Sequence, residues 1–251
     1  MVNEWTNFGF EKILKTDKVK KVMDVFNGVS NVYDLMNDVM SLGIHRLWKK
    51  EFVKKFEYKD NMQIIDVGGG TADITKLVLD NSFEKKFYNN VVTMFDINME
   101  MLKIGKEKLL KNGIMGNANV LLGNAEQLPF KDNSFDVYLI AFCIRNVTDI
   151  QKVLEEAYRV LKPNGVFLCL EFSEIEGIIL KKFYDVWSFS VLPLMGKLIA
   201  KNQDAYKYLA ESITKFPKQE EFLQMVSNAK FKDVYYKNLS NGVVAIHGGI
   251  K

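Results

Sequence analysis

Cysteine is scarce in this chain: Cys143 and Cys169 are the two thiols in 251 residues. Both lie in apolar, strand-like runs, so they read as reduced core residues of a cytosolic or matrix protein rather than as a disulfide. No zinc-binding spacing exists, and no metal site is expected. Long apolar runs are missing too. Without 18 successive apolar residues nothing is expected to span a membrane. The first residues show neither a secretory apolar region nor an arginine-rich amphipathic leader, so any organelle leader is expected to be absent from this chain. The net charge of +3 is too small to argue for nucleic acid. Arginine is rare, at Arg46, Arg145 and Arg159, which asks at each why lysine would not serve. What is abundant is apolar side chain, 48% of residues, enough for one substantial core and hence one domain over 1–251.

The most informative stretch is Ile-Ile-Asp-Val-Gly-Gly-Gly-Thr-Ala-Asp at 64–73. β-branched residues around Asp66 form a short buried strand, three glycines break it, and helical spacing follows at Ile74, Leu77 and Val78. A strand passing through glycines into a helix start is a nucleotide-binding turn: Gly68 and Gly70 let the backbone approach a ligand, and the helix offers unpaired N–H groups. The dinucleotide fingerprint G-x-G-x-x-G fails, because Asp73 stands where its third glycine belongs. A carboxylate there suits a pyrophosphate poorly and tolerates an ammonium-bearing ligand such as S-adenosylmethionine. A methyl donor is therefore favoured over NAD.

Strand signals at 62–67, 91–96, 118–122, 135–142 and 165–172 alternate with helical patterns at 72–80, 98–111 and 149–161. Lys162-Pro163-Asn164-Gly165 reads as a helix stop and turn. This predicts an α/β fold with a mostly parallel sheet covered on both faces, 61–175 forming the core. The runs 231–237 and 242–247 predict a closing antiparallel pair within 230–251. Residues 1–60 read as an amphipathic helical lid, and 176–229 as a helical insertion. Ligands in such sheets sit beyond the carboxyl ends of the strands. There Asp96 could accept both ribose hydroxyls or cap a helix, and Asn124-Ala125-Glu126 could read an adenine edge.

These residues carry a family resemblance. Val25–Trp48, Asp66–Ile74, Gly123–Phe130, Ile144–Asp149, Tyr158–Pro163, Leu170–Ser173 and Tyr208–Ser212 resemble the ubiquinone/menaquinone biosynthesis C-methyltransferases (the UbiE type) over nearly the whole chain. The first segment is the most specific, since class I methyltransferases in general lack it. Thr6–Phe10 is similar to the mitochondrial, coenzyme Q branch. The resemblance implies a class I S-adenosylmethionine-dependent methyltransferase sheet (Rossmann-like). It also implies methyl transfer to a ring carbon of a polyprenyl methoxy-benzoquinol, with Thr71, Asp96, Asn124 and Ala125 at cofactor positions. Tyr33, Asp34, Asn37, His45 and Arg46 would fold over the cofactor and line the quinol pocket. A homodimer, other coenzyme Q synthesis proteins as partners, and a peripheral place on the matrix side of the mitochondrial inner membrane are expected on the same ground. Ala72 and Cys143 stand where the family usually has glycine.

C-methylation needs alignment and something that stabilises a phenolate-like transition state. Arg145, beyond the fourth strand, either stabilises that charge or polarises a water, or else is locked to a nearby acid; a guanidinium does not serve as a direct base. His45 could transfer protons or orient the lid, whereas His247 reads as structural. The apolar stretch 178–200, with Phe183, Trp187, Phe189 and Leu194 among lysines, could shelter an isoprenoid tail, rest on a membrane surface, or pack on the core. Two rivals remain beside the enzyme: a non-catalytic cofactor-binding scaffold and an NAD-dependent reductase.

Overall fold

The computed structural model describes residues 4–177 and 203–251. The apolar stretch at 178–200 therefore lies outside the described residues. The chain opens with a hairpin of β1 (Trp5–Phe8) and β2 (Glu11–Leu14), turned at Gly9 with φ of 56°. This corrects the all-helical reading of residues 1–60. Strands of four residues carry too little periodicity to declare themselves. Three helices follow: α1 (Lys15–Asn27), α2 (Tyr33–Ser41) and α3 (Ile44–Val53).

The alternating core then runs β3 (Gln63–Val67), α4 (Asp73–Glu84), β4 (Val91–Asp96), α5 (Met99–Lys111), β5 (Ala118–Leu122), β6 (Phe135–Ala141), α6 (Ile150–Val160) and β7 (Leu161–Phe172). Helices α7 (Gln203–Lys215) and α8 (Gln219–Asn228) precede β8 (Lys232–Leu239) and β9 (Val244–Ile250). The sheet order is β5-β4-β3-β6-β7-β9-β8. The first five strands are mutually parallel, and β9 runs antiparallel to both its neighbours. That is the expected sheet with its closing pair.

Period-two alternation places Ile64 on one face of β3 and Ile65 and Val67 on the other. Ile64 joins Phe52, Val78 and Leu109 beneath α3, α4 and α5. Ile65 and Val67 join Leu154, Ala157 and Phe222 beneath α6 and α8. Phe52, Val78, Leu154 and Phe222 are fully buried, each worth roughly 1.5–3 kcal/mol of removed apolar surface.

The turn expected at 162–165 falls inside β7. Leu161 pairs with Phe135, but Val166 next pairs with Val137, so the four residues between bulge out around Asn164, whose φ is 64°. Arg159, at the end of α6, answers the question its rarity raised. Its fork reaches the Phe130 and Leu128 carbonyls at 2.7 and 3.0 Å and the Glu156 carboxylate at 2.7 Å, several directed bonds that one ammonium could not make. Among the described residues no helix is long and apolar enough to cross a membrane.

Candidate active site

The glycine turn folds back over β4, the Gly68 and Gly69 amides donating to the Phe95 carbonyl at 2.7 and 3.2 Å. Gly68 has a φ of 70°, and a Cβ there would run into Cys143. On the other side α5 approaches so closely that a Cβ on Gly105 would stand 2.7 Å from the Gly70 carbonyl. The turn is thus held open by missing side chains, a cradle only glycine supplies. Asp96 ends β4. One of its oxygens accepts from the Gly70 amide at 3.0 Å and the other from the Asn98 amide at 2.8 Å. Burial pushes its carboxyl up from the usual range, and those amides oppose the shift.

A cavity of about 110 Å³ opens beyond these strand ends. Gly68, Gly70, Asp96, Asn124, Ala125 and Cys143 line it, and α1 roofs it with Val22 and Phe26. The Asn124 side-chain oxygen accepts from the Glu126 amide at 2.9 Å, leaving its amide hydrogens as the group that would meet a base. Asn98 caps α5 through the Met101 amide and also donates to Asn27 of α1 at 2.9 Å, tying the roof to the cofactor side. The set suits S-adenosylmethionine: Asp96 would accept ribose hydroxyls, Asn124 would meet a purine edge, and the glycine turn allows close approach.

A second cavity, about 160 Å³, adjoins the first. Tyr33 and Asn37 of α2, His45 of α3, Thr71, Phe142, Arg145 and Tyr208 are among its lining residues. Gly68, Gly70, Tyr33 and Phe142 line both cavities. A ligand in one therefore meets a ligand in the other across the glycine turn.

The ubiE/COQ5 methyltransferase family model matches residues 14–251. The chain belongs to that family. It is 50% identical to the ubiquinone/menaquinone biosynthesis C-methyltransferase UbiE of Rickettsia bellii, over 98% of each chain. It is 46% identical to the mitochondrial 2-methoxy-6-polyprenyl-1,4-benzoquinol methylase of Dictyostelium discoideum, over 99% of this chain and 87% of that one. The corresponding Mus musculus protein is 45% identical, over 98% and 84%. A solved Thermotoga maritima S-adenosylmethionine-dependent methyltransferase superposes with a TM-score of 0.62 at 22% identity, over 91% of this chain and 99% of that one. A Haemonchus contortus phosphoethanolamine N-methyltransferase 2 bound to S-adenosyl-L-methionine gives 0.58 at 14%, over 81% and 52%. These likenesses show the fold. This ubiE/COQ5 methyltransferase is accordingly an S-adenosylmethionine-dependent C-methyltransferase of ubiquinone biosynthesis.

In this methyltransferase Arg145 is buried in the larger cavity's wall. Its Nη1 donates to Glu171 at 2.8 Å and to the Phe142 carbonyl at 2.7 Å, and its plane sits 5.3 Å over the Phe172 ring. The ion pair, one of the alternatives the sequence left open, is present, and the side chain also lines the cavity. Burial would strip charge from the guanidinium; the Glu171 carboxylate, with Tyr33 and Tyr208, raises its pKa on balance and keeps it protonated. His45 is buried, its Nε2 2.9 Å from Asp38. Arg46, one residue on, is turned roughly 100° around the helix. It lies outside both linings, its side chain 66% exposed and paired with Asp38. Arg46 is thus not brought to either cavity.

Asp73 needs a correction as well. Its oxygens accept from Lys49 at 2.7 Å and Lys108 at 2.8 Å. Burial favours its neutral form, and the two lysines overcome that, holding the carboxyl at about 2. Its charge is already met by two lysines, partners that the sequence reading did not foresee. The Thr71 hydroxyl donates to Asp34 at 2.7 Å, and Asp34 also accepts from Lys108 at 2.6 Å, so α2 is latched to the cofactor turn.

Sequence reasoning passed over Asp38, Gly105, Asn146 and Glu171. Asn146 lines the smaller cavity, and its side-chain oxygen accepts from Tyr208 at 3.0 Å. Glu171 had a visible signal, a carboxylate in the otherwise apolar run 166–172. Gly105, inside a helical pattern, had another.

Proposed function

We propose that this methyltransferase carries a methyl group from S-adenosylmethionine to a ring carbon of a polyprenyl methoxy-benzoquinol, the whole chain working as one methyltransferase domain. The observation that carries the reading is the wall shared by the two cavities. The cofactor supplies an electrophilic methyl on a sulfonium. Gly68, Gly70, Thr71, Asp96, Asn124 and Ala125 hold the cofactor; Tyr33, Asn37 and His45 bound the ring; Arg145 faces the developing phenolate charge. Alignment across the glycine turn provides the proximity a carbon nucleophile needs. The names of the Dictyostelium and mouse relatives support the substrate and a mitochondrial location.

A polyprenyl chain is supplied from a membrane, so the protein sits peripherally on the matrix side of the inner membrane. Leu42, 77% exposed in the turn between α2 and α3, and Leu47, 61% exposed on α3, would meet the lipid. Failure to co-float with cardiolipin-containing vesicles would remove that location. A homodimer and contact with other coenzyme Q synthesis proteins complete the proposal. The test of the activity is transfer of a labelled methyl from S-adenosylmethionine to a short-tailed methoxy-benzoquinol kept reduced. Product from the native chain supports the reading; cofactor binding without product, with lipid and partner subunits supplied, overturns it.

A further inference from the structure

Among the described residues, four buried side-chain polar atoms lack a hydrogen-bond partner: His45 Nδ1, Arg145 Nε, Tyr138 Oη and His247 Nδ1. Tyr138 and His247 belong to the interior of the sheet. The other two belong to side chains that line the larger cavity. A buried polar atom without a partner costs on the order of a hydrogen bond, so each calls for a ligand or a reason.

The two are complementary. Asp38 accepts from Arg46 at 2.6 Å and stands 2.9 Å from His45 Nε2. Those hydrogen bonds hold the Asp38 carboxyl well below its usual range, so it acts as an acceptor only. The proton of a neutral His45 ring therefore sits on Nε2, and Nδ1 is left as a bare acceptor. Arg145 Nε–H is a donor. A hydroquinone offers the matching pair, a hydroxyl that donates and a ring oxygen that accepts.

We propose that His45 Nδ1 takes the proton of a ring hydroxyl, with Asp38 as the positioning residue that fixes the tautomer and Arg145 Nε–H donating to a ring oxygen. The assignment rests on the quinol reading above. The O–H bond breaks with its electron pair left on oxygen and its proton on Nδ1. The ring carbon then bonds the methyl carbon as the methyl–sulfur bond breaks, that pair remaining on sulfur. The ring carbon gives its hydrogen to water as a proton, and the imidazolium returns its own proton to the oxygen. One C–H has become C–CH3, and one proton has been released.

Burial, then the Lys49 ammonium, lower the His45 pKa, while Asp38 and the more distant Asp73 oppose them. Arg46, bonded to Asp38, completes the charged groups around it. The base form is thus the one present near neutrality, and the limb that His45 contributes lies below the ordinary histidine range. Buried Asp66, pushed up to about 7, also titrates nearby, but its limb does not depend on His45.

Two measurements test the assignment. With two histidines in the chain, nitrogen-15 spectra of histidine-labelled native protein, assigned with His45→Asn, read the tautomer directly. The expected result is a protonated Nε2 and a bare Nδ1 whose signal moves when methoxyhydroquinone is added with S-adenosylhomocysteine. A protonated Nδ1, or one that ignores the hydroquinone, overturns the assignment. In turnover, His45→Asn should lower kcat by about 10²–10⁴-fold. It should also erase the His45 acidic limb, with cofactor affinity little changed, and Asp38→Asn should displace that limb. A native chain that turns over beside an unchanged His45→Asn overturns this assignment alone. A native chain without turnover overturns the quinol reading, and this one with it.

Discussion

The two cavities meet at one turn but are built by different means. The cofactor cavity takes its floor from strand ends, and backbone does much of the work: Gly70 and Asn98 amides on Asp96, Gly68 and Gly69 amides on the Phe95 carbonyl. The larger cavity, the one proposed for the quinol, takes its walls from α2, α3 and α7, held by side-chain pairs such as Thr71–Asp34, Lys108–Asp34 and Tyr208–Asn146. A backbone cradle is common to any sequence that keeps the glycines and the carboxylate. A wall of side-chain pairs is rewritten by single substitutions. The first kind suits a cofactor shared by many enzymes, the second a particular ring. Arg145 belongs to the second wall yet is fixed like the first, its partner Glu171 being 1% exposed.

Breaking that exception should give the largest effect. Arg145→Ala leaves Glu171 buried without its cation, which costs about 3–5 kcal/mol. Chemical denaturation reads the loss, and the labelled-methyl assay should lose nearly all product. If stability and turnover both hold, the ion pair is not what joins the two walls. Next comes Asp66, beneath the glycine turn, whose carboxyl accepts from the Thr75 amide and hydroxyl at 3.0 and 2.7 Å. Burial raises it from 3.8 to about 7. A carboxyl raised by folding stabilises the native state while protonated, so its contribution is full below the unfolded value and is lost as pH rises to the folded one. Asp66→Asn should therefore gain on the native chain by about 4 kcal/mol between acidic and mildly alkaline solution. Urea midpoints at several pH values check the sign; a constant gap refutes it.

Two smaller effects would separate the cavities. Asp96→Ala should weaken S-adenosylmethionine about 10–100-fold by calorimetry, the value of lost charge-assisted bonds, while a methoxyhydroquinone binds as before. Weakening of both would mean the walls are not independent. Asp34→Asn should cost no more than about 1 kcal/mol, because that carboxylate is 41% exposed. Amide exchange in α2 should quicken while β3 and β4 stay protected. Equal protection in α2 would show that the latch does not hold it.

The same division explains what was legible beforehand. Runs such as Ile64–Val67 and Val91–Asp96 announce buried parallel strands through local composition, and the sheet followed. Gly68, Gly70, Asp96 and Asn124 sit at strand ends, where topology alone places a ligand. Asp73 misled because its partners, Lys49 and Lys108, lie 24 and 35 residues away, and no local pattern registers them. Arg46 failed for a neighbouring reason: a motif names adjacent residues, but only the helix phase says that His45 faces in and Arg46 out. Asp38 became meaningful only beside the ring it orients. The opening hairpin was missed because its strands are as short as a turn.

That hairpin is not a remote appendage. Phe8 stacks on Tyr208 with ring centres 4.3 Å apart, the Phe10 amide donates to Glu211 at 3.1 Å, and the Thr6 hydroxyl reaches the Thr148 carbonyl at 3.4 Å. Tyr208 in turn bonds Asn146, next to Arg145. For anyone expressing this protein, the choice of where to start the chain or attach a tag is therefore a choice about the active site. A version trimmed at α1 would lose an aromatic partner of the residue that braces the wall carrying Arg145.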